Sequence, residues 1–187
     1  VRPLPAIVLS LSGGTSFGEQ QPQSTSLGGP NDGKLINGVR LPARGTGYIS
    51  NPGRTNRGAD WGTRELVDAL VKVGRDIEQW SPGAELIIND LGFQEGGPIP
   101  RHQSHQAGRD VDVLFYMLDG NDAVVRARAA RYDDDGRATI PGRRGGGGAT
   151  SVRFDAQRNW YVMKSLVLNE SANLQRVFVS EGLRELM

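Results

Sequence analysis

Arg101-His102-Gln103-Ser104-His105-Gln106-Ala107-Gly108-Arg109-Asp110-Val111-Asp112 holds both histidines of the 187-residue sequence within four positions and sets two aspartates after them. Past this stretch the chain alternates. Val111, Val113 and Phe115 fall on one parity and Asp110, Asp112 and Leu114 on the other, so the pattern predicts a loop that enters a central strand over 111–117. On such a strand Asp112 faces a cleft while the valines face the core. Gly108 can take a backbone conformation barred to other residues, which lets the loop fold His105 back toward Asp112. Imidazole and carboxylate are the ligands that a borderline-soft cation such as Zn²⁺ accepts where thiolates are lacking, and this sequence has no cysteine. Histidines beside an aspartate also occur as ordinary hydrogen-bonding loop residues, so on spacing alone both a metal site and a plain loop stand.

Working outward, the clearest helix spans 63–80, where Leu66, Leu70, Val73, Ile77 and Trp80 recur at helical spacing and Thr63 can cap the start. Ser81-Pro82-Gly83 ends it. Residues 85–89 read as a buried strand, and 90–101, rich in Gly and Pro, as the long loop that delivers the histidines. A second helix is expected over 154–170, with Asp155 as cap and Trp160, Met163 and Val167 as its buried stripe. Residues 176–180 read as a strand, and 180–187 as the start of a helix with Ser180 as cap and Leu183 and Leu186 on one face. The weakest region for order is 119–151. Its Asp133-Asp134-Asp135-Gly136 cluster lacks the alternating ligands and distal Glu of a calcium loop and reads as an exposed turn.

Gly, Ser, Gln and Pro dominate 13–30, which marks residues 1–30 as a flexible segment or linker, while 31–56 suits irregular structure with short strands wrapped over a core. The apolar run 4–11 is too short to span a bilayer. It suits equally the end of a signal peptide and an edge strand or tail. No other segment reads as a transmembrane span. With 22 Lys+Arg against 21 Asp+Glu, the chain lacks the basic stripe that a nucleic-acid partner leaves. The mixed elements and irregular connections point to an α+β fold, with a small antiparallel sheet flanked by helices.

His105-Gln106-Ala107-Gly108-Arg109-Asp110-Val111-Asp112 resembles the HxxGxxxD signature of the lysostaphin, D-Ala-D-Ala metallopeptidase and hedgehog superfamily. Gly96-Gly97 followed by His102-Gln103-Ser104-His105-Gln106 and Asp110-Val111-Asp112 is similar, more closely, to its penicillin-insensitive murein endopeptidases. The likeness extends to Ser26-Leu27-Gly28, Asn37-Gly38, Ile88-Asn89-Asp90-Leu91-Gly92 and Arg176-Val177-Phe178-Val179. It implies the same α+β fold, a zinc cleft on one face of the sheet, and hydrolysis of D-alanyl-diaminopimelyl cross-links by an exported, periplasmic enzyme that acts on the peptide stems of peptidoglycan. By the resemblance His105 and Asp112 are zinc ligands. His102 is an extra metal or substrate contact or a plain loop residue, and Asp110 lies on the Asp112 side of the strand, where it can orient a ligand.

That family completes its site with a later His-x-His pair, whereas the last histidine here is His105. Asp135-Gly136-Arg137-Ala138 likewise has no histidine where the family's Asp-Gly-x-His element supplies further ligands. The expectation is therefore a catalytic domain over 31–187 that lacks its C-terminal part, with the catalytic base unidentified. The alternative is a non-catalytic module that binds cell-wall peptide through the same cleft.

Overall fold

A computed structural model describes residues 22–142 and 148–187. Two strands, β1 (Thr25–Gly29) and β2 (Asp32–Ile36), open it as an antiparallel hairpin. The end of the Gly- and Ser-rich run is thus a strand rather than a linker, because its backbone groups pair with β2. The apolar run 4–11 and the part of the linker before residue 22 lie outside the described residues.

Short strands follow: β3 (Val39–Arg40), β4 (Arg44–Gly45) and β5 (Tyr48–Ser50), then a single helical turn α1 (Pro52–Thr55), then β6 (Trp61–Gly62), which pairs with β3. Helix α2 (Arg64–Trp80) has Thr63 as its N-cap, as the spacing predicts, and the Thr63 side chain accepts from the Leu66 N–H. Of the expected stripe Leu70, Val73 and Ile77 are buried, joined by Val67, whereas Leu66 is half-buried and Trp80 is exposed. Strand β7 (Leu86–Ile88) then runs parallel to β5 and antiparallel to β8 (Val113–Leu114), giving the order β4-β5-β7-β8. The β5–β7 pair is the one parallel contact in that sheet, and α2 supplies the crossover that a parallel pair needs.

The strand expected over 111–117 is broken. Only Val113 and Leu114 pair in this sheet, at its edge, and Met117 moves into a second one as β9 (Met117–Leu118). The break lets Tyr116 turn inward, where its N–H bonds the Asn159 side chain and its hydroxyl donates to the Ala84 carbonyl. The region expected to be least ordered carries β10 (Val124–Val125), β11 (Arg137–Ile140) and the start of β12 (Thr150–Phe154), in an antiparallel sheet of order β10-β9-β12-β11. Alternation hidden among charges explains it: Ala138, Ile140, Val152 and Met117 share a small buried cluster of their own. The Asp133–Gly136 turn does form. Asp133 Oδ1 accepts from the Arg137 N–H at 2.7 Å.

Helix α3 (Ala156–Val167) is capped by Asp155 as expected, but it is rotated from the expected stripe. Asn159, Val162 and Leu166 are buried, while Trp160 and Val167 stand 52% and 61% exposed. Asn159 fixes the rotation, because its amide donates to the Tyr116 carbonyl as its Oδ1 accepts the Tyr116 N–H. Residues 176–180 form no strand; they run exposed into α4 (Glu181–Leu186), where Leu183 is buried and Leu186 partly exposed. Ser180 precedes α4, yet its hydroxyl makes no cap bond.

The main core lies where α2 and α3 meet the β5–β7 face: Tyr48, Leu70, Val73, Leu86, Ile88, Tyr116 and Val162. Ile87 points to the other face, with Ile49, Leu114 and Ala127. Both faces of β7 are therefore covered, as its uninterrupted apolar sequence requires.

Candidate metal centre

The loop that carries the histidines is pinned along its length. The Leu35 N–H bonds the Glu95 carbonyl at 3.0 Å, the Gln106 N–H bonds the Pro30 carbonyl at 3.0 Å, and the Gly97 N–H bonds the Gln106 carbonyl at 2.9 Å. Its far end is fixed to the start of α2 by the Thr63 N–H on the Gly108 carbonyl at 2.8 Å. The turn needs left-handed backbone at Gly108, where φ is +69°, and a Cβ there would meet Leu35 Cδ2 at 2.7 Å. His105 itself adopts φ 71°, a left-handed conformation that few residues other than glycine take.

Asp112 is placed by the sheet. Beyond the β7–β8 ladder the Asn89 N–H bonds the Asp112 carbonyl at 2.7 Å and the Asp112 N–H bonds the Asp90 carbonyl at 2.8 Å, so the two aspartates lie side by side at the strand ends.

His102, His105 and Asp112 converge there, each offering one ligand atom, with these atoms within 4.8 Å of one another. His105 Nε2 lies 3.4 Å from Asp112 Oδ1, and His102 Nδ1 lies 3.7 Å from Asp112 Oδ2. Two ligands about 2.0–2.1 Å from a tetrahedral zinc ion stand roughly 3.3 Å apart, which the His105–Asp112 pair matches, while the set as a whole, at up to 4.8 Å, is wider. The tautomers suit it as well. His105 Nδ1 meets the Leu91 carbonyl at 2.7 Å, and a carbonyl only accepts, so Nδ1 carries the proton and Nε2 turns a lone pair toward Asp112. Two acceptors that face each other need a shared cation, either a proton or a metal ion.

The titration of His105 reflects this. Burial pulls its pKa down, but the hydrogen bond and charge of Asp112, the Leu91 carbonyl and the charge of Asp110 outweigh burial and leave it raised above the ordinary 6.5.

Asp110 does not join the cluster. Its Oδ2 accepts from the His105 backbone N–H at 3.0 Å, so it fixes the turn rather than the ring. A residue to which the sequence reading gave no role takes the ring-orienting position beside His102. Asp90, fully buried, has Oδ2 at 3.2 Å from His102 Nε2, and it also receives Asn89 Nδ2 at 3.1 Å and faces Arg57 Nη2 at 3.5 Å. A carboxylate at Nε2 leaves Nδ1 to face Asp112. The available signal was an acidic residue directly after a strand buried on both faces, since charge there demands a partner.

A histidine pair and a carboxylate gathered at the edge of an α+β sheet, with Asp112 reaching solvent, is the donor set of a metallohydrolase. The comparisons agree: residues 26–187 match the family model of the penicillin-insensitive murein endopeptidases, a metallopeptidase family, and the chain belongs to that family. Among curated proteins it is similar to the penicillin-insensitive murein endopeptidase of Klebsiella pneumoniae (strain 342), 29% identical over 93 residues that cover 49% of this chain and 33% of the relative. It is also similar to that of Haemophilus influenzae (strain ATCC 51907 / DSM 11121 / KW20 / Rd), 26% identical over 124 residues, 60% of this chain and 42% of the relative. The chain thus spans about a third to two fifths of the length of these relatives.

Proposed function

We propose that this protein is a zinc-dependent peptidase that cuts D-alanyl-diaminopimelyl cross-links between the peptide stems of peptidoglycan, outside the cytoplasmic membrane in the periplasm. The observation that carries the reading is the convergence of His102, His105 and Asp112 at the sheet edge, with each imidazole oriented through its far nitrogen. His105 and Asp112 would hold the ion, and His102 would serve as the third protein ligand. When bound, zinc supplies Lewis-acid polarisation of a carbonyl and a lowered pKa for water. The protein's own groups do the positioning. The Leu91 carbonyl keeps the proton on His105 Nδ1, Asp90 turns His102, and Asp110 holds the His105 backbone in its left-handed turn. No serine nucleophile is required, which accounts for indifference to β-lactams. No described helix is long and apolar enough to cross a membrane.

The test is conversion of cross-linked muropeptide dimers to monomers by the full-length protein, followed by chromatography. Turnover should stop with a chelator and with Asp112→Ala and continue with penicillin. Turnover that survives Asp112→Ala would remove Asp112 from the site, and turnover blocked by penicillin but not by a chelator would overturn the mechanism.

A further inference from the structure

On the face of the β7–β8 pair opposite the helices lies a cleft of about 300 Å³, at the small end of the range for ligand sites. Its floor is apolar, from Ile87 and Leu114, and its walls are Asn51, Asn89, Arg126 and Arg128; none of its lining residues is acidic. Register places it beside the metal cluster. Ile87 is paired with Leu114, and Asn89 bonds Asp112 across the next step, so on a pleated sheet Ile87, Asn89, Leu114 and Asp112 share one face. The cleft therefore runs along the face that ends at Asp112. Buried Ala127, packed on Ile49 and Ile87, anchors the segment that carries both arginines.

The two arginines have different surroundings. Arg128 is exposed, and Nη1 donates to the Pro141 carbonyl at 3.1 Å, which steadies a guanidinium that keeps further donors. Arg126 is exposed on the same wall. Two arginines on the wall of a small apolar floor suit a planar anion on a small-residue peptide, because a guanidinium fork pairs with both oxygens of a carboxylate. The amides of Asn51 and Asn89 bond each other at 2.9 Å, so this wall is rigid. We infer that the Arg126–Arg128 cleft is a substrate subsite that holds a free carboxylate of the stem peptide and so lays the chain along the sheet toward Asp112. The inference rests on the hydrolase reading for the identity of the peptide, but not for the binding itself.

The experiment measures binding apart from cleavage. Titration calorimetry of the full-length protein in chelator, so that no carboxylate ligates a metal, would compare a synthetic stem peptide bearing free carboxylates with its fully amidated analogue. The free acid should bind at least about tenfold more tightly, as charge-assisted pairs require. Arg126→Gln/Arg128→Gln should lose that preference, and Arg126→Lys/Arg128→Lys should recover part of it. Both side chains are exposed, so the melting temperature should not move. Equal binding of acid and amide, no binding of the acid at millimolar concentration, or an undiminished preference in the Gln variant would each overturn the subsite. In the cleavage assay the Gln variant should raise KM for dimers with kcat little changed. Cleavage with unchanged KM would remove the subsite and leave the hydrolase, whereas acid-selective binding without cleavage by any form would remove the hydrolase and leave the subsite.

Discussion

Replacing Asp90 by Asn keeps volume and one acceptor oxygen but removes the charge behind His102. The structure decides which contact suffers. Arg57 Nη2 is 3.5 Å away on a side chain that is 45% exposed, so it can turn to water at a cost of less than about 1 kcal/mol. Asn89 Nδ2, which donates to the same Oδ2 at 3.1 Å, is still served by the one amide oxygen that the variant keeps. The contact at stake is the one at 3.2 Å to His102 Nε2, because a neutral amide both weakens the acceptor and permits a flip that presents NH₂ to the ring. Removing such an orienting partner typically costs about 10- to 100-fold in metal affinity, or roughly 1.4–2.7 kcal/mol. Zinc competition against a chromophoric chelator would read it. Thermal unfolding of the metal-free variant serves as control, since a buried aspartate replaced by its isostere need not lose stability. Zinc affinity within twofold of the parent, with the metal-free melting temperature unchanged, would refute the orienting role of Asp90 and with it the assignment of His102 as a ligand.

Asp110→Asn should weaken zinc less than Asp90→Asn, because an amide oxygen still accepts the His105 N–H and the loss is about one hydrogen bond of 0.5–1.5 kcal/mol; the same competition titration ranks the two. In the metal-free protein His105 has a raised pKa, so its contribution to stability is fully present below about pH 6.5 and is lost as pH rises through the higher folded value; melting temperatures taken across neutral pH should fall, and His105→Gln should flatten that slope. Leu166→Ala should destabilise by about 2–5 kcal/mol in urea unfolding while Trp160→Ala stays within roughly 0.5 kcal/mol, the reverse of what the expected stripe would give. Gly108→Ala should cost about 1–2 kcal/mol from the left-handed backbone alone, plus whatever Leu35 must yield, measured in the same way.

Where the sequence was legible, the signal was local. Thr63 and Asp155 cap the helices they were expected to cap, since a cap needs only the residues that follow it. His105, Gly108 and Asp112 were legible for the same reason: parity and one glycine describe a turn that returns a side chain to the strand it precedes. The failures share the opposite cause. The stripe of α3 is set by Asn159 on Tyr116, and the break after Leu114 by Tyr116 reaching Ala84, contacts that join residues far apart in the chain. Residues 176–180 carry a β-rich composition without a neighbouring strand to pair with among the described residues, and composition alone makes no ladder.

Strand β7 explains why a metal cluster and a basic cleft lie beside each other. Leu86 and Ile88 bury toward α2 and α3, so Ile87 and, past the strand, Asn89 must face the other way, toward Arg126 and Arg128. Asp90 comes next, outside the ladder, where the chain leaves the sheet and its side chain can meet His102. A slip of one residue would turn Ile87 into the helix core, send Ile88 into the cleft, and move Asp90 out of register with Asp112. The apolar requirement of two cores thus fixes the register, and the register places the carboxylate that orients one ligand one residue away from the amide that lines the cleft. One register therefore sets both positions, and it leaves the buried charge of Asp90 at the end of an apolar strand, where His102 and Arg57 face it.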